Sequence, residues 1–188
     1  IHPAILFAAS LSGITSIIKA GGAQAIAALA FGTESVRKVD KIFGPGNQYV
    51  TKAKEIAAAA GVSIDMPAGP SEVLIAADET ADPEIIAADM LSQAEHGPDS
   101  QVVVIVDSVS LIDPILLAVK QQLIDLPRKE FAVSSLANSS ILCVPERDRV
   151  VAIINQYAPE HLIIQMRKAN SMEGQIMHAG SVFFGSWT

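Results

Sequence analysis

The chain has 188 residues, enough for one ordinary domain or two small lobes, and its 50% hydrophobic and 18% charged residues exclude a disordered tail or a solvated linker. Thirteen Lys and Arg against twenty Asp and Glu give a net charge of -7, and no basic run gathers positive charge on one face, which argues against nucleic acid as partner. The most apolar runs, 26–31 and 101–106, fall far short of the ~20 residues of a membrane span, and the lone Cys143 cannot form an internal disulfide, so the composition points to the cytoplasm.

The sequence opens on Ile1-His2-Pro3 without a basic-then-apolar leader and stops after a strand-like run. We therefore expect a piece of a longer protein. Residues 4–11 read as a helix with Pro3 at its first position, ended by Gly13. The β-branched run 14–18 reads as a strand, Gly21-Gly22 as a turn, and the alanine-rich 23–31 as a helix. Strand, glycine turn and helix return at 39–43, Gly44-Pro45-Gly46 and 48–60. Residues 62–66 and 73–77 read as strands separated by Pro67-Ala68-Gly69-Pro70. That gap is too short for a parallel crossover, which needs about a dozen residues, so the chain is expected to reverse direction near Pro67 to Pro70 or to change sheet. Met66 to Ser71 is the expected border between two lobes.

Asp82-Pro83-Glu84 starts the next helix with a capping side chain, Pro at the first position and early acidic charge, and the helix runs to about Glu95. A strand is expected at 101–106, helices at 111–126 and 128–136, and a strand at 141–144. A helix at 146–157, a strand at 162–166, a helix at 169–178 and a strand at 182–184 complete the chain. Strands alternating with helices throughout imply an α/β, Rossmann-like layered sheet with helices on both faces. A reversal at 67–70 would also bring His96, at the end of one helix, and Glu160-His161, at a helix-to-strand junction, to the rim that holds the glycine turns.

Common nucleotide, nucleophile-elbow and metalloprotease motifs are absent. The two glycine turns lie where backbone N–H groups and a helix dipole can hold a phosphate, although such turns are also ordinary connections. Gln93 and His96, three apart at a helix end, project to one side. Imidazole is a common zinc ligand and an amide oxygen an unusual one, and such a pair also fits a helix cap or a solvated face. Glu160 and His161 join a carboxylate to an imidazole, two groups able to move protons in a closed site, or simply a solvated strand entrance. Cys143, inside an apolar strand, reads as core.

Taken together, GGAQAIAALA at 21–30, IFGPGNQYV at 42–50, DMPAGPSEV at 65–73 with LSQAEHGPDSQ at 91–101, and APEHLIIQ at 158–165 resemble the histidinol dehydrogenase family along essentially the whole chain. The resemblance implies NAD-dependent, zinc-assisted oxidation of L-histidinol through L-histidinal to L-histidine by a cytoplasmic homodimer. It assigns Gln24 and Asn47 to NAD, Ser71 to the substrate, Gln93 and His96 to both zinc and substrate, and Glu160 and His161 to catalysis, with His161 also touching substrate. It further implies that N-terminal and C-terminal parts are missing here, including an NAD-contacting Tyr and two zinc ligands, an Asp and a His from the partner subunit. Residues 1–188 would then be the Rossmann-like region, inactive alone. The readings that compete with this one are a non-catalytic folded or dimerisation unit and a related zinc-assisted amino-alcohol dehydrogenase.

Overall fold

The structure is a computed structural model that describes residues 1–65 and 71–187. The chain divides into two compact units, residues 1–69 and 70–188. Of the expected border at 66–71, only Ser71 lies among the described residues, and the expected reversal at Pro67 to Pro70 lies outside them.

In the first unit, α1 (Pro3–Leu11) starts at Pro3, with His2 Nδ1 accepting from the Ala4 N–H at 3.2 Å. It is followed by α2 (Gly22–Phe31), β1 (Lys41–Ile42), α3 (Gln48–Ala59) and β2 (Ser63–Ile64). β1 and β2 pair in parallel, Lys41 with Ser63 and Ile42 with Ile64. Ile26 and Ala30 of α2 meet Ile42, Ala57 and Val62 in a small core. The strand expected at 14–18 does not form: Ile14, Ile17 and Ile18 are exposed. β-branched residues favour strands only when a neighbouring strand and a packed face receive them, and within this unit the run has neither.

The second unit holds β3 (Glu72–Ala77), α4 (Pro83–Ala94), β4 (Gln101–Val106), α5 (Ile112–Gln122), α6 (Lys129–Leu136), β5 (Ser140–Cys143), α7 (Arg147–Tyr157), β6 (His161–Gln165) and β7 (Ser181–Phe184). The five strands form a parallel sheet in the order β5-β4-β3-β6-β7, so β2 and β3 lie in different sheets and the chain changes sheet between them. Alternate residues point to opposite faces. Val73, Ile75, Val102 and Val104 pack with Ile86, Met90 and Ile115 of α4 and α5, while Leu74, Ala76, Val103 and Ile105 pack with Val150 and Ile154 of α7. Burial on both faces is why 72–77 and 101–106 are nearly unbroken apolar runs. The expected α/β sheet with helices on both faces is what the structure contains.

Two local expectations need correction. The helix expected at 169–178 is a 3-10 helix, Ala169–Gln175, that ends before His178. Ser171 competes for a backbone group there, its Oγ donating to the Lys168 carbonyl at 2.8 Å. Cys143 is exposed rather than core, because β5 is an edge strand with β4 on one side only. Cys143→Ala is accordingly expected to change stability by less than about 0.5 kcal/mol, and the native thiol should react with a thiol reagent in full. A several-degree fall in melting temperature, or a thiol reactive only after unfolding, would contradict that placement. No helix among the described residues is long and apolar enough to cross a membrane.

Candidate active site

Parallel strands start at one edge of the sheet, and here that edge carries Glu72 of β3, Gln101 of β4, His161 of β6 and Ser181 of β7. Helix α4 must run back from the carboxyl end of β3 to the amino end of β4. Asp82 caps its start, accepting from the Glu84 N–H at 2.9 Å, and its last turn brings Gln93 to the amino edge with His96 just beyond. The His96 N–H donates to the Gln93 carbonyl at 3.2 Å, tying the two residues through the backbone.

Gln93, His96 and His161 line one cavity of about 250 Å³, together with Asp89, Ile163 and Phe183. Gln93 is only 7% exposed, and its buried Nε2 has no hydrogen-bond partner among the described residues. A buried amide nitrogen left unpaired costs on the order of 1–3 kcal/mol, a cost that a bound ligand removes. His96 is exposed. The His161 ring stacks on Phe183 with centroids 6.3 Å apart, and its Nδ1 is buried 3.8 Å from Glu160 Oε2. That distance is too long for a hydrogen bond. With Nδ1 enclosed, Nε2 is the nitrogen left to meet a ligand. Glu160 lies beside the cavity, and its Oε2 accepts from the Glu72 N–H at 3.3 Å. Ser71 precedes β3 at the same edge, where its carbonyl accepts from the Gln101 N–H at 3.2 Å. The fold therefore brings Gln93, His96 and His161 into one wall, with Glu160 and Ser71 flanking it.

Asp89 lies one helical turn before Gln93 and faces the same cavity. Its Oδ2 accepts from Gln165 Nε2 at 2.6 Å, and Gln165 is only 2% exposed. Burial pushes the Asp89 carboxyl up to about 6, against the opposing pull of that hydrogen bond. Between the ordinary value of 3.8 and about 6 the folded chain therefore holds more of this proton than the unfolded chain, and stability falls as pH rises through that window. Above it the cost is fully present. Asp89→Asn keeps an acceptor for Gln165 and removes the charge, so it should raise the melting temperature by roughly 2–6 °C at pH 8 and by much less at pH 4.5. A difference that does not vary between those pH values would show that Asp89 carries no such burden.

Gln24 and Asn47 belong to the first unit. Gly22, with φ +68°, opens α2, whose N-cap Gly21 offers no side-chain acceptor, so the first N–H groups of this helix are free of a cap. A Cβ on Gly22 would meet Gln24 Oε1 at 3.0 Å, which places the Gln24 amide against that turn. Asn47 caps α3 instead, its Oδ1 accepting from the Tyr49 and Val50 N–H groups at 3.1 and 3.2 Å. A Cβ on Gly46 would meet the Val50 side chain at 2.5 Å, so this turn admits only glycine without a shift. Lys54 and Asp65, which sequence reasoning passed over, hold it. Lys54 Nζ donates to the Gly44 carbonyl at 2.9 Å and pairs with Asp65, whose Oδ2 accepts from the Gly44 N–H at 2.9 Å. The Gly44 N–H and then Lys54 hold the Asp65 carboxyl below the ordinary range.

The donors at the amino edge suit part of a zinc shell: the imidazole of His96 and the amide oxygen of Gln93 belong to residues that line a single cavity, and the unpaired Gln93 nitrogen there is a hydrogen-bond donor for a ligand rather than for the metal. Among the described residues no group of three or more His, Cys, Asp or Glu could hold the metal alone. The uncapped start of α2 beside Gln24 suits a phosphate of a dinucleotide. At the carboxyl edge of β3 and β6, where ligands of such sheets usually bind, Asp78 Oδ2 instead accepts the Arg167 N–H and Oδ1 accepts from Thr80.

The sequence profile of the histidinol dehydrogenase family matches residues 1–188. Histidinol dehydrogenase of Bacteroides thetaiotaomicron is 55% identical over 188 residues, and that of Pseudoalteromonas translucida 55% over 190. Each alignment covers 100% of this chain and 44% of the relative, so the chain spans less than half the length of the proteins it matches. A crystal structure of histidinol dehydrogenase from Elizabethkingia anophelis superimposes with a TM-score of 0.93 at 53% identity, covering 100% of this chain and 43% of that one.

Proposed function

This chain belongs to the histidinol dehydrogenase family, and from that premise we propose that it carries, within a protein of its relatives' length, the oxidation of L-histidinol to L-histidine through L-histidinal. The observation that carries this reading to particular residues is the single cavity lined by Gln93, His96 and His161, with Glu160 beside it. We assign L-histidinol to that cavity, with Ser71 at its margin.

The residue types suit each step. Oxidising the alcohol requires its hydroxyl proton to leave as hydride departs, and His161 Nε2 accepts that proton. Water then adds to the aldehyde carbon: Glu160 takes a proton from that water while His161 returns its own proton to the former carbonyl oxygen, which gives the diol and frees His161 to act again. His161 takes the diol's hydroxyl proton as the second hydride leaves. Gln93 and His96 would hold part of a zinc shell, and the metal would there supply a Lewis-acid anchor for the amine and imidazole of the substrate. NAD+ would supply the hydride acceptor, and Gln24 and Asn47 would help hold it, Asn47 by shaping the turn it caps and Gln24 by its amide at the uncapped start of α2. The solvent-exposed Cys143 has no part in the aldehyde step. The resemblance and the composition support a homodimer acting in the cytoplasm, without nucleic acid or membrane.

The test is turnover of L-histidinol with NAD+ by an enzyme of the relatives' length. The reading expects L-histidine with two NADH formed for each. Release of histidinal as the end product, preference for another amino alcohol, or no NADH at all would contradict it.

A further inference from the structure

Behind Glu160, on the side away from the cavity wall, polar groups of three elements converge. Parallel β3 and β6 pair Val73 with His161, which leaves the residues just before them, Glu72 and Glu160, at the end of the ladder. Each side chain takes over the capping of the other's backbone. The Glu72 N–H donates to Glu160 Oε2 at 3.3 Å, and the Glu160 N–H donates to Glu72 Oε1 at 3.3 Å. The second Glu72 oxygen, Oε2, lies 3.2 Å from the Tyr157 hydroxyl, and that hydroxyl lies 2.7 Å from Gln101 Oε1. Gln101 Nε2 is turned to the Asn138 carbonyl at 3.4 Å, so its oxygen is the atom that faces Tyr157. Tyr157 and Glu72 are both part-buried.

We infer that Tyr157 and Glu72 are positioning residues for Glu160, a chain of contacts that fixes its backbone and one carboxylate oxygen so that the other is held ready for the water added to the aldehyde. This rests on the reading of Glu160 given above. Three details support it. First, the His161 Nδ1 contact at 3.8 Å is too long to orient the Glu160 carboxylate, and the bond from the Glu72 N–H is its one hydrogen bond among the described residues. Second, Glu72 reaches back to the Glu160 N–H at 3.3 Å and so holds the Glu160 backbone on one side, while the Ser181 N–H donates to the Glu160 carbonyl at 2.9 Å on the other. Third, burial and then the Glu72 charge push the Tyr157 hydroxyl up to about 12, so at working pH it keeps its single proton, which Glu72 Oε2 and Gln101 Oε1 share as alternative acceptors. Neither Glu72 nor Tyr157 lines the cavity, so their effect would reach the reaction through Glu160.

The arrangement predicts an effect on one of the two oxidations. In the enzyme of the relatives' length, Tyr157→Phe should slow oxidation of histidinal supplied directly by ~10-fold or more, the scale of a misplaced catalytic group, while histidinol oxidation to the aldehyde level and KM for histidinol change less than about twofold. Glu72→Gln retains an acceptor for the Glu160 N–H and should recover most of the histidinal rate, whereas Glu72→Ala should not. A loss shared equally by the two steps would show a merely structural role and overturn the inference, as would equal losses in Glu72→Gln and Glu72→Ala, or a wild-type histidinal rate in Tyr157→Phe. Glu160→Gln measured alongside separates the two possible failures. If it slows histidinal oxidation while Tyr157→Phe does not, only the positioning role falls. If Glu160→Gln itself oxidises histidinal at the wild-type rate, the reading of Glu160 falls and the inference with it.

Discussion

Replacing His161 by Asn in the enzyme of the relatives' length is expected to lower both oxidations, each by about 10²- to 10⁴-fold, the usual contribution of a positioned general base. Each step turns a carbon-bound hydroxyl into a C=O group, so each must lose a hydroxyl proton as hydride leaves. The reading gives that role to His161, which lines the cavity with its ring stacked on Phe183 and its Nδ1 buried, leaving the other nitrogen to meet a ligand. Asn fills similar space and retains polarity but accepts no proton at neutral pH. The decisive measurement is the single-turnover rate with histidinol and, separately, with histidinal. Loss of one rate alone would mean that the two steps use different bases and that His161 has been given one role too many.

Glu160→Gln should divide the steps instead. Its carboxylate, half exposed and anchored by the Glu72 N–H, is suited to deprotonating water, and only the aldehyde needs water. Histidinal oxidation is expected to fall by about 10²-fold or more, with the alcohol step within a few-fold of wild type. Gln retains an oxygen for the Glu72 N–H, so the edge of β3 and β6 should keep its geometry and the melting temperature should move little. Histidinol supplied to this variant should therefore yield NADH and then stall at the aldehyde. Wild-type kinetics with histidinal would remove Glu160 from water activation.

Much of the architecture was legible because it rests on local pattern. Residues 72–77 and 101–106 are buried on both faces and announce themselves as apolar runs, and Asp82-Pro83-Glu84 carries its own start signal. The failures occurred where local preference depends on a distant partner. Residues 14–18 have strand-forming side chains but join no strand among the described residues, and Cys143 is exposed because strand order, which the sequence does not display, leaves β5 at an edge. The candidate site divides the same way. Gln93 with His96 and Glu160 with His161 stand out as neighbouring polar pairs in apolar surroundings. Asp89, Glu72 and Tyr157 do not, because their surroundings are created by the pairing of β3 with β6 and the packing of helices against it. Glu72 and Glu160 meet across 88 residues of sequence.

The central claim is that the chemistry sits at the amino edge of the five-stranded sheet, opposite the carboxyl edge where such sheets usually bind their ligands. A crystal structure of the enzyme at its relatives' length, with zinc and L-histidinol bound, tests it most directly. The account predicts substrate density in the cavity walled by Gln93, His96 and His161, with the hydroxyl carbon within reach of His161 Nε2. Density at the carboxyl edge, beside Asp78 and Arg167, would contradict it.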